Sequence, residues 1–154
     1  MTEIRRATIE DAKELSELIH SLETFSAMQG LSLVELQSVT LDLLSENKDN
    51  SNYLIWVAAT PKIVAYVVMH IMPNILYSAN DAFISELFVD KGARGQGLGS
   101  KLLDVATKEA RKRNCFRIQL LNIKNREAYQ RGFYKKQAWR ERKSVAVFRN
   151  ELRE

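Results

Sequence analysis

Arg94-Gly95-Gln96-Gly97-Leu98-Gly99 is the stretch that decides how this chain is read. Three glycines alternate within five residues, and what flanks them differs sharply on the two sides. Upstream, Ala82 to Val89 is rich in β-branched and aromatic residues and predicts a strand. Downstream, from Gly97 to Arg113, Leu98, Leu102, Leu103, Val105, Ala106 and Ala110 form a helical stripe with charge opposite it. A glycine loop between a strand and a helix lets backbone N–H groups approach a ligand without Cβ obstruction. The helix that opens there adds unpaired N–H groups and the positive end of its dipole, which together favour an anion. A phosphate site is the physical default, and a structural turn is the plain alternative.

Outward from the loop, Phe116 to Leu121 returns to strand, and a polar helix is predicted from about Asn125 to Gln137. Strand material follows at Trp139 to Arg142 and Val145 to Arg149. Towards the N-terminus, Tyr53 to Ala59 and Ile63 to Met72, joined by Thr60-Pro61-Lys62, predict an antiparallel hairpin. Ser32 with Glu35 is a capping box that opens a helix through Leu33, Leu36, Val39 and Leu43. Thr8 caps an earlier one carrying Ala12, Leu15, Leu18, Ile19, Leu22 and Phe25, after a short strand at Glu3 to Ala7. The order is β-α-α-β-β-β-α-β-α-β-β, an α/β (α+β) layer fold. At 154 residues, without repeat or linker, it predicts a single domain over 1–154.

Composition narrows the function classes. No apolar run reaches the ~20 residues of a membrane span, and Met1-Thr2-Glu3-Ile4-Arg5-Arg6 lacks the apolar region of a signal peptide, so a cytoplasmic protein with no membrane role is expected. The lone Cys115 excludes an internal disulfide and a multi-cysteine zinc site, and His20 and His70 form no metal motif, so no metal is expected. Charge divides unevenly. Residues 1–93 carry six Lys or Arg against thirteen Asp or Glu, a balance of −7, whereas residues 94–143 carry fifteen against four. Solvated helix faces or an anionic ligand of the second half each account for this. The basic run has no spacing of a named nucleic-acid module, so no nucleic-acid partner is expected.

Two familiar phosphate loops fail. A Walker loop needs glycine directly before Lys-Ser/Thr, yet Ser100 separates Gly99 from Lys101. A dinucleotide fingerprint needs an acid at the end of the next strand, where this chain has Asn122. The chain resembles instead the GCN5-related N-acetyltransferase (GNAT) superfamily, whose loop [RQ]-x-x-G-x-[GA] is matched by Arg94, Gly97 and Gly99. Glu86-Leu87-Phe88-Val89-Asp90 precedes the loop at the family's spacing. Ile4-Arg5-Arg6-Ala7-Thr8 with Asp11-Ala12 is similar to the family's first strand and helix, and Asn125 with Phe133-Tyr134-Lys135-Lys136 to its C-terminal motif. In two places the pattern departs: four residues separate Ala128 from Phe133 where the family commonly has two, and Ala138 stands where a glycine is usual.

The resemblance implies a mixed, mostly antiparallel sheet flanked by helices, acetyl-CoA as acetyl donor, and transfer to a primary amine by direct attack in a ternary complex. It places the cofactor on Leu87, Phe88, Val89, Arg94, Gly95, Gln96, Gly97, Leu98, Gly99, Ser100 and Tyr134, with Asn122 and Asn125 competing for the pantetheine arm. It also implies pairing of Val145-Ala146-Val147-Phe148 across a homodimer.

Chemistry adds the roles. A lysine-like amine with pKa ~10.4 is neutral in about one molecule per 10³ at pH 7, a deficit of ~4.6 kcal/mol. A carboxylate that takes the proton recovers part of it. Glu86 is the acid inside the strand before the loop, with Phe88 on its face and Leu87 and Val89 on the other. Its plain reading is a surface strand residue or an arginine partner. Tyr134 resembles the family's general acid for the departing thiolate, and a backbone N–H between Leu87 and Val89 suits the thioester oxyanion. His20, His70 and Cys115 read as structural. Tyr53, Trp56, Tyr66 and Trp139 read as core, with Phe25, Tyr77 and Phe83 as candidates for an acceptor pocket. The −7 balance points to a small cationic amine such as a polyamine or amino-sugar. A non-catalytic acetyl-CoA sensor and a protein or peptide N-acetyltransferase are the alternatives.

Overall fold

The computed structural model describes residues 1–22, 30–47 and 51–152. The chain forms two compact units, Met1–Leu121 and Asn122–Glu154. The first is built on a five-stranded sheet in sequence order, β1 (Glu3–Arg6), β2 (Tyr53–Ala59), β3 (Ile63–Asn74), β4 (Ala79–Val89) and β5 (Cys115–Leu120). β1 to β4 pair antiparallel and β5 joins β4 in parallel. A parallel neighbour needs a crossover, supplied by the third helix.

β2 reads Tyr-Leu-Ile-Trp-Val-Ala-Ala without alternation because both of its faces are buried. Ile55, Val57 and Ala59 join Tyr66 and Val68 of β3 in a cluster with Ala12, Leu15 and Leu18 of α1 (Ala12–Ser21) and Leu44 of α2 (Leu33–Ser45). The opposite face is covered by α3 (Leu98–Lys112), whose Leu98, Leu102, Leu103, Ala106 and Ala110 are buried. Each helix is fixed locally. The Ser32–Glu35 capping box forms, with Glu35 N–H donating to Ser32 Oγ and Ser32 N–H to Glu35 Oε2. At the start of the chain, Thr8 N–H donates to Asp11 at 2.8 Å, and a 3-10 turn at Ile9–Asp11 leads into α1. Asn47, just beyond α2, ties that helix to the sheet: its Nδ2 donates to the Ala7 carbonyl, and its Oδ1 accepts from Ile55 N–H and from the Arg6 guanidinium.

The second unit departs from the sequence reading. The predicted helix from Asn125 to Gln137 is two short ones, α4 (Glu127–Gln130) and α5 (Phe133–Lys136), because Gly132 between them takes a left-handed φ of 68° that an α-helix cannot continue through. The two terminal strands do not form. Trp139 to Arg142 and Val145 to Arg149 have no ladder partner, and a strand without a paired neighbour has no backbone bonds to hold it. The first helix ends at Ser21, capped by Leu22; Phe25 lies outside the described residues. No described helix is long and apolar enough to cross a membrane.

Candidate active site

β4 outruns its parallel neighbour. The ladder between β4 and β5 ends at Ile84 opposite Leu120, while β4 continues to Val89. From Ser85 to Val89 the strand is therefore paired to β3 on one edge only. Asp90 N–H bonds the Val64 carbonyl on the β3 side at 2.8 Å. By the two-residue alternation of a strand, Leu87 and Val89 then aim their main-chain groups at the open edge. Val89 confirms the direction, since its carbonyl accepts from Arg94 Nε at 3.3 Å.

A bulge sets what this segment presents. Val68 faces Glu86 and Met69 faces Ile84, leaving Ser85 as the extra residue. Residues opposed across a ladder share a face. Ile84 therefore sits with Met69 on the side of α3, while Glu86, two residues later, sits with Val68 on the side of α1 and α2. An unbroken strand would have placed both on one face. The bulge is what turns Glu86 away from α3.

Beyond β4, Asp90 accepts from Gly92 N–H at 2.9 Å and a 3-10 turn at Lys91–Ala93 leads into the glycine loop. Gly97 caps α3 with a φ of 73°, a conformation that favours glycine, and Gly95 has a φ of 77°. The first intrahelical bond runs from Lys101 N–H to the Gly97 carbonyl at 3.0 Å, so the N–H groups of Leu98 and Gly99 precede it without an intrahelical acceptor. The first turn of α3 holds no acid. Exposed Arg94 and Gln96 flank the loop, and nothing lies within 4 Å of where a Cβ on Gly95 or Gly97 would stand. An open, positively polarised cradle beside an unpaired strand edge fits a ligand with phosphates at one end and amides along its length.

Glu86 lies at a cavity of about 380 Å³ between the sheet and the two N-terminal helices. Leu15, Ile19, Leu31, Leu36, Val39, Thr40, Leu43, Tyr53, Ile55, Tyr66 and Val68 complete its lining among the described residues. Tyr66, only 2% exposed, donates its hydroxyl to Glu86 Oε2 at 2.7 Å and stacks on Phe88 with ring centres 5.8 Å apart. Burial, and then the Glu86 charge, push the Tyr66 phenol well above its ordinary range, so it stays a protonated donor. The same two causes push Tyr53 up to about 12. The His70 and Tyr53 rings meet edge to face with centres 5.1 Å apart, and His70 Nε2 lies 2.8 Å from Ser85 Oγ. Burial lowers its pKa, against the opposing pull of Glu86. Among the described residues, no group of three or more His, Cys, Asp or Glu could hold a metal ion.

In the second unit, Asn122 and Asn125 differ. Asn125 is exposed, whereas Asn122 has a buried Oδ1 without a hydrogen-bond donor, an acceptor waiting for a partner. Tyr134, on α5, rests against Phe133 and Trp139 with ring centres 5.0 and 6.2 Å away. Burial raises its pKa, and its hydroxyl has no partner among the described residues.

The sequence pattern of the acetyltransferase (GNAT) family matches residues 14–139. This chain belongs to that family. No curated protein matches it in sequence. Among solved structures it is similar to a transcriptional regulator from Bacillus halodurans C-125, at 25% identity and a TM-score of 0.83 over 99% of this chain and 100% of that one. An aminoglycoside acetyltransferase from an uncultured soil metagenomic sample shares the fold at 22% identity and a TM-score of 0.77, covering 99% and 97% of the two chains. So does a ribosomal-protein-alanine N-acetyltransferase from Brucella melitensis biovar Abortus 2308, at 18% identity and a TM-score of 0.74 over 97% and 100%.

The acetyltransferase gathers residues its sequence left in separate roles. Tyr53 and Tyr66 read as core, yet both line the Glu86 cavity. Tyr77 read as a pocket candidate, but it stacks on Phe116 at 4.2 Å under the Arg117 guanidinium. Phe83, opposite His70, is not part of the cavity lining. The signal available for Tyr66 was its spacing: it stands two residues from Val68 on one strand of a hairpin, as Phe88 does from Glu86 on the next strand.

Proposed function

We propose that this family member transfers an acetyl group from acetyl-CoA to a small cationic primary amine, within one domain spanning residues 1–154. The observation that carries the proposal is Glu86: a carboxylate held by a buried tyrosine at an apolar cavity, one strand segment away from an open edge and a glycine cradle. The family match extends over both compact units, which supports reading them as one functional domain.

In this reading the N–H groups at the start of α3, with Arg94, Gly95, Gln96, Gly97, Leu98, Gly99 and Ser100, hold the pyrophosphate. The open edge, where Leu87 and Val89 turn their main-chain groups outward on either side of Phe88, pairs with the pantetheine amides, and Asn122, with its unmet acceptor, serves that arm in preference to exposed Asn125. Acetyl-CoA supplies a thioester whose C–S bond breaks as the amine nitrogen bonds the acetyl carbon. Glu86 takes the proton that the ammonium must lose, directly or through water, and a main-chain N–H of the open edge stabilises negative charge on the carbonyl oxygen. Tyr134 gives the departing sulfur its proton; the balance is ammonium plus acetyl-CoA to amide, CoA thiol and one proton released. Unpartnered and raised in pKa, its hydroxyl is suited to remain protonated until that moment.

The test is thiol release from acetyl-CoA across an amine panel, repeated with Glu86→Gln and Tyr134→Phe. Turnover that both substitutions suppress supports the mechanism; unchanged rates in both overturn it and leave cofactor binding standing. Cofactor binding without thiol release from any amine would favour a sensor instead.

A further inference from the structure

Among the described residues, Glu86 is the only acid of residues 1–93 that lines the cavity. Glu14 accepts from Ile63 N–H, Glu35 is spent on the Ser32 cap, and neither of them, nor Glu17, Asp42 or Glu46, lines the cavity; Glu86 alone among its described lining carries a charge. Its hydroxyls are also largely committed. The Tyr66 proton is on Glu86, and the Thr40 proton is on the Leu36 carbonyl at 2.8 Å. Only the Tyr53 hydroxyl has no partner among the described residues. The remaining walls, from Leu15 and Ile19 of α1 to Leu36, Val39 and Leu43 of α2, are hydrocarbon.

We infer that the acceptor is a small monoamine carried on an apolar arm, an arylalkylamine or short alkylamine, with its single ammonium on Glu86 and its arm between α1 and α2. This rests on the acetyl-transfer reading above and selects within it. A cavity of about 380 Å³ holds one ring or a short chain. A polyamine brings a second charge that finds no counter-charge among the described lining, and an amino-sugar brings several hydroxyls for one open partner there. Each polar group left unpaired weakens binding by ~10-fold or more.

Hexylamine and 1,6-diaminohexane test this directly, since they share one chain and differ by one ammonium. Steady-state thiol release should give hexylamine and 2-phenylethylamine a kcat/KM at least ~10-fold above the diamine, spermidine and an aminoglycoside. Calorimetric titration of the enzyme without acetyl-CoA should rank the amines in the same order. Leu43, 43% exposed on the α2 wall, accepts a charge without burying it; Leu43→Glu should shrink the hexylamine preference by ~10-fold or reverse it. A diamine, polyamine or aminoglycoside turned over as well as hexylamine would overturn the inference while sparing acetyl transfer. Turnover confined to peptide N-termini would do the same. Absence of thiol release with every amine would overturn the transfer reading itself, and this inference with it.

Discussion

Glu86→Gln separates a proton acceptor from a residue that only shapes the cavity. The substitution keeps side-chain volume and leaves an amide oxygen to accept the Tyr66 hydroxyl that now sits 2.7 Å from Oε2. It removes the carboxylate charge and with it the ability to take a proton. An amine of pKa ~10.4 faces a deficit of ~4.6 kcal/mol at pH 7. A positioned base is worth ~10² to 10⁴ in rate, or ~3 to 5 kcal/mol at ~1.36 kcal/mol per decade. The base can thus recover much of that deficit, and kcat/KM at pH 7 should fall by ~10² to 10⁴ in the variant. Each unit of pH towards ~10 supplies about tenfold more neutral amine, so the loss should narrow steadily as pH rises.

Stability supplies the control. Glu86→Ala leaves the Tyr66 hydroxyl, on a residue 2% exposed, without its acceptor, which costs ~1 to 3 kcal/mol. Melting should therefore distinguish Ala from Gln, with Gln near the parent. A Gln variant within about threefold of the parent at pH 7 refutes the base assignment. A large loss of equal size at pH 7 and near pH 10 refutes it differently, assigning Glu86 to binding or positioning.

Three further outcomes follow from the same geometry. Tyr134→Phe should lower kcat by ~10² or more with little change in amine KM or melting temperature, because its hydroxyl has no partner to lose; an unchanged kcat removes it from the mechanism. Gly97→Ala should cost ~1 to 2 kcal/mol in denaturant unfolding, a purely conformational loss since the added Cβ meets nothing within 4 Å, and should weaken acetyl-CoA in calorimetry; an unmoved midpoint contradicts the left-handed cap. Tyr53 and Tyr66 hold their protons more tightly folded than unfolded. Their stabilisation is complete below the unfolded phenol value of 10.0 and declines as pH rises above it, through about 12 for Tyr53. The Tyr53→Phe, Tyr66→Phe double variant should show a shallower alkaline fall in melting temperature, and an identical fall would show that these phenols are not its source.

What the sequence makes legible is whatever a short segment decides by itself. The glycine loop, the Ser32–Glu35 cap and the stripe of α3 each depend on neighbours within a turn or two, and each forms where its residues predict. The hairpin of β2 and β3 is legible for the same reason. The terminal strands fail because strand propensity is a demand for a partner, and Trp139 to Arg149 finds none within its unit. Two-residue alternation correctly puts Phe88 beside Glu86, but continued backwards it puts Ile84 there too. The extra residue at Ser85 prevents that, and no property of serine announces it. One inserted residue thus lets β4 bury Ile84 under α3 and still turn a carboxylate towards Tyr66 and the acceptor cavity. Deleting Ser85 should close the bulge with Ile84 still opposite Met69 and Glu86 still opposite Val68, now consecutive residues on opposite faces, so the variant should keep the Glu86–Tyr66 hydrogen bond, acetyl transfer and CoA binding. A folded deletion variant that still binds CoA but has lost transfer would mean that this register does not aim the base.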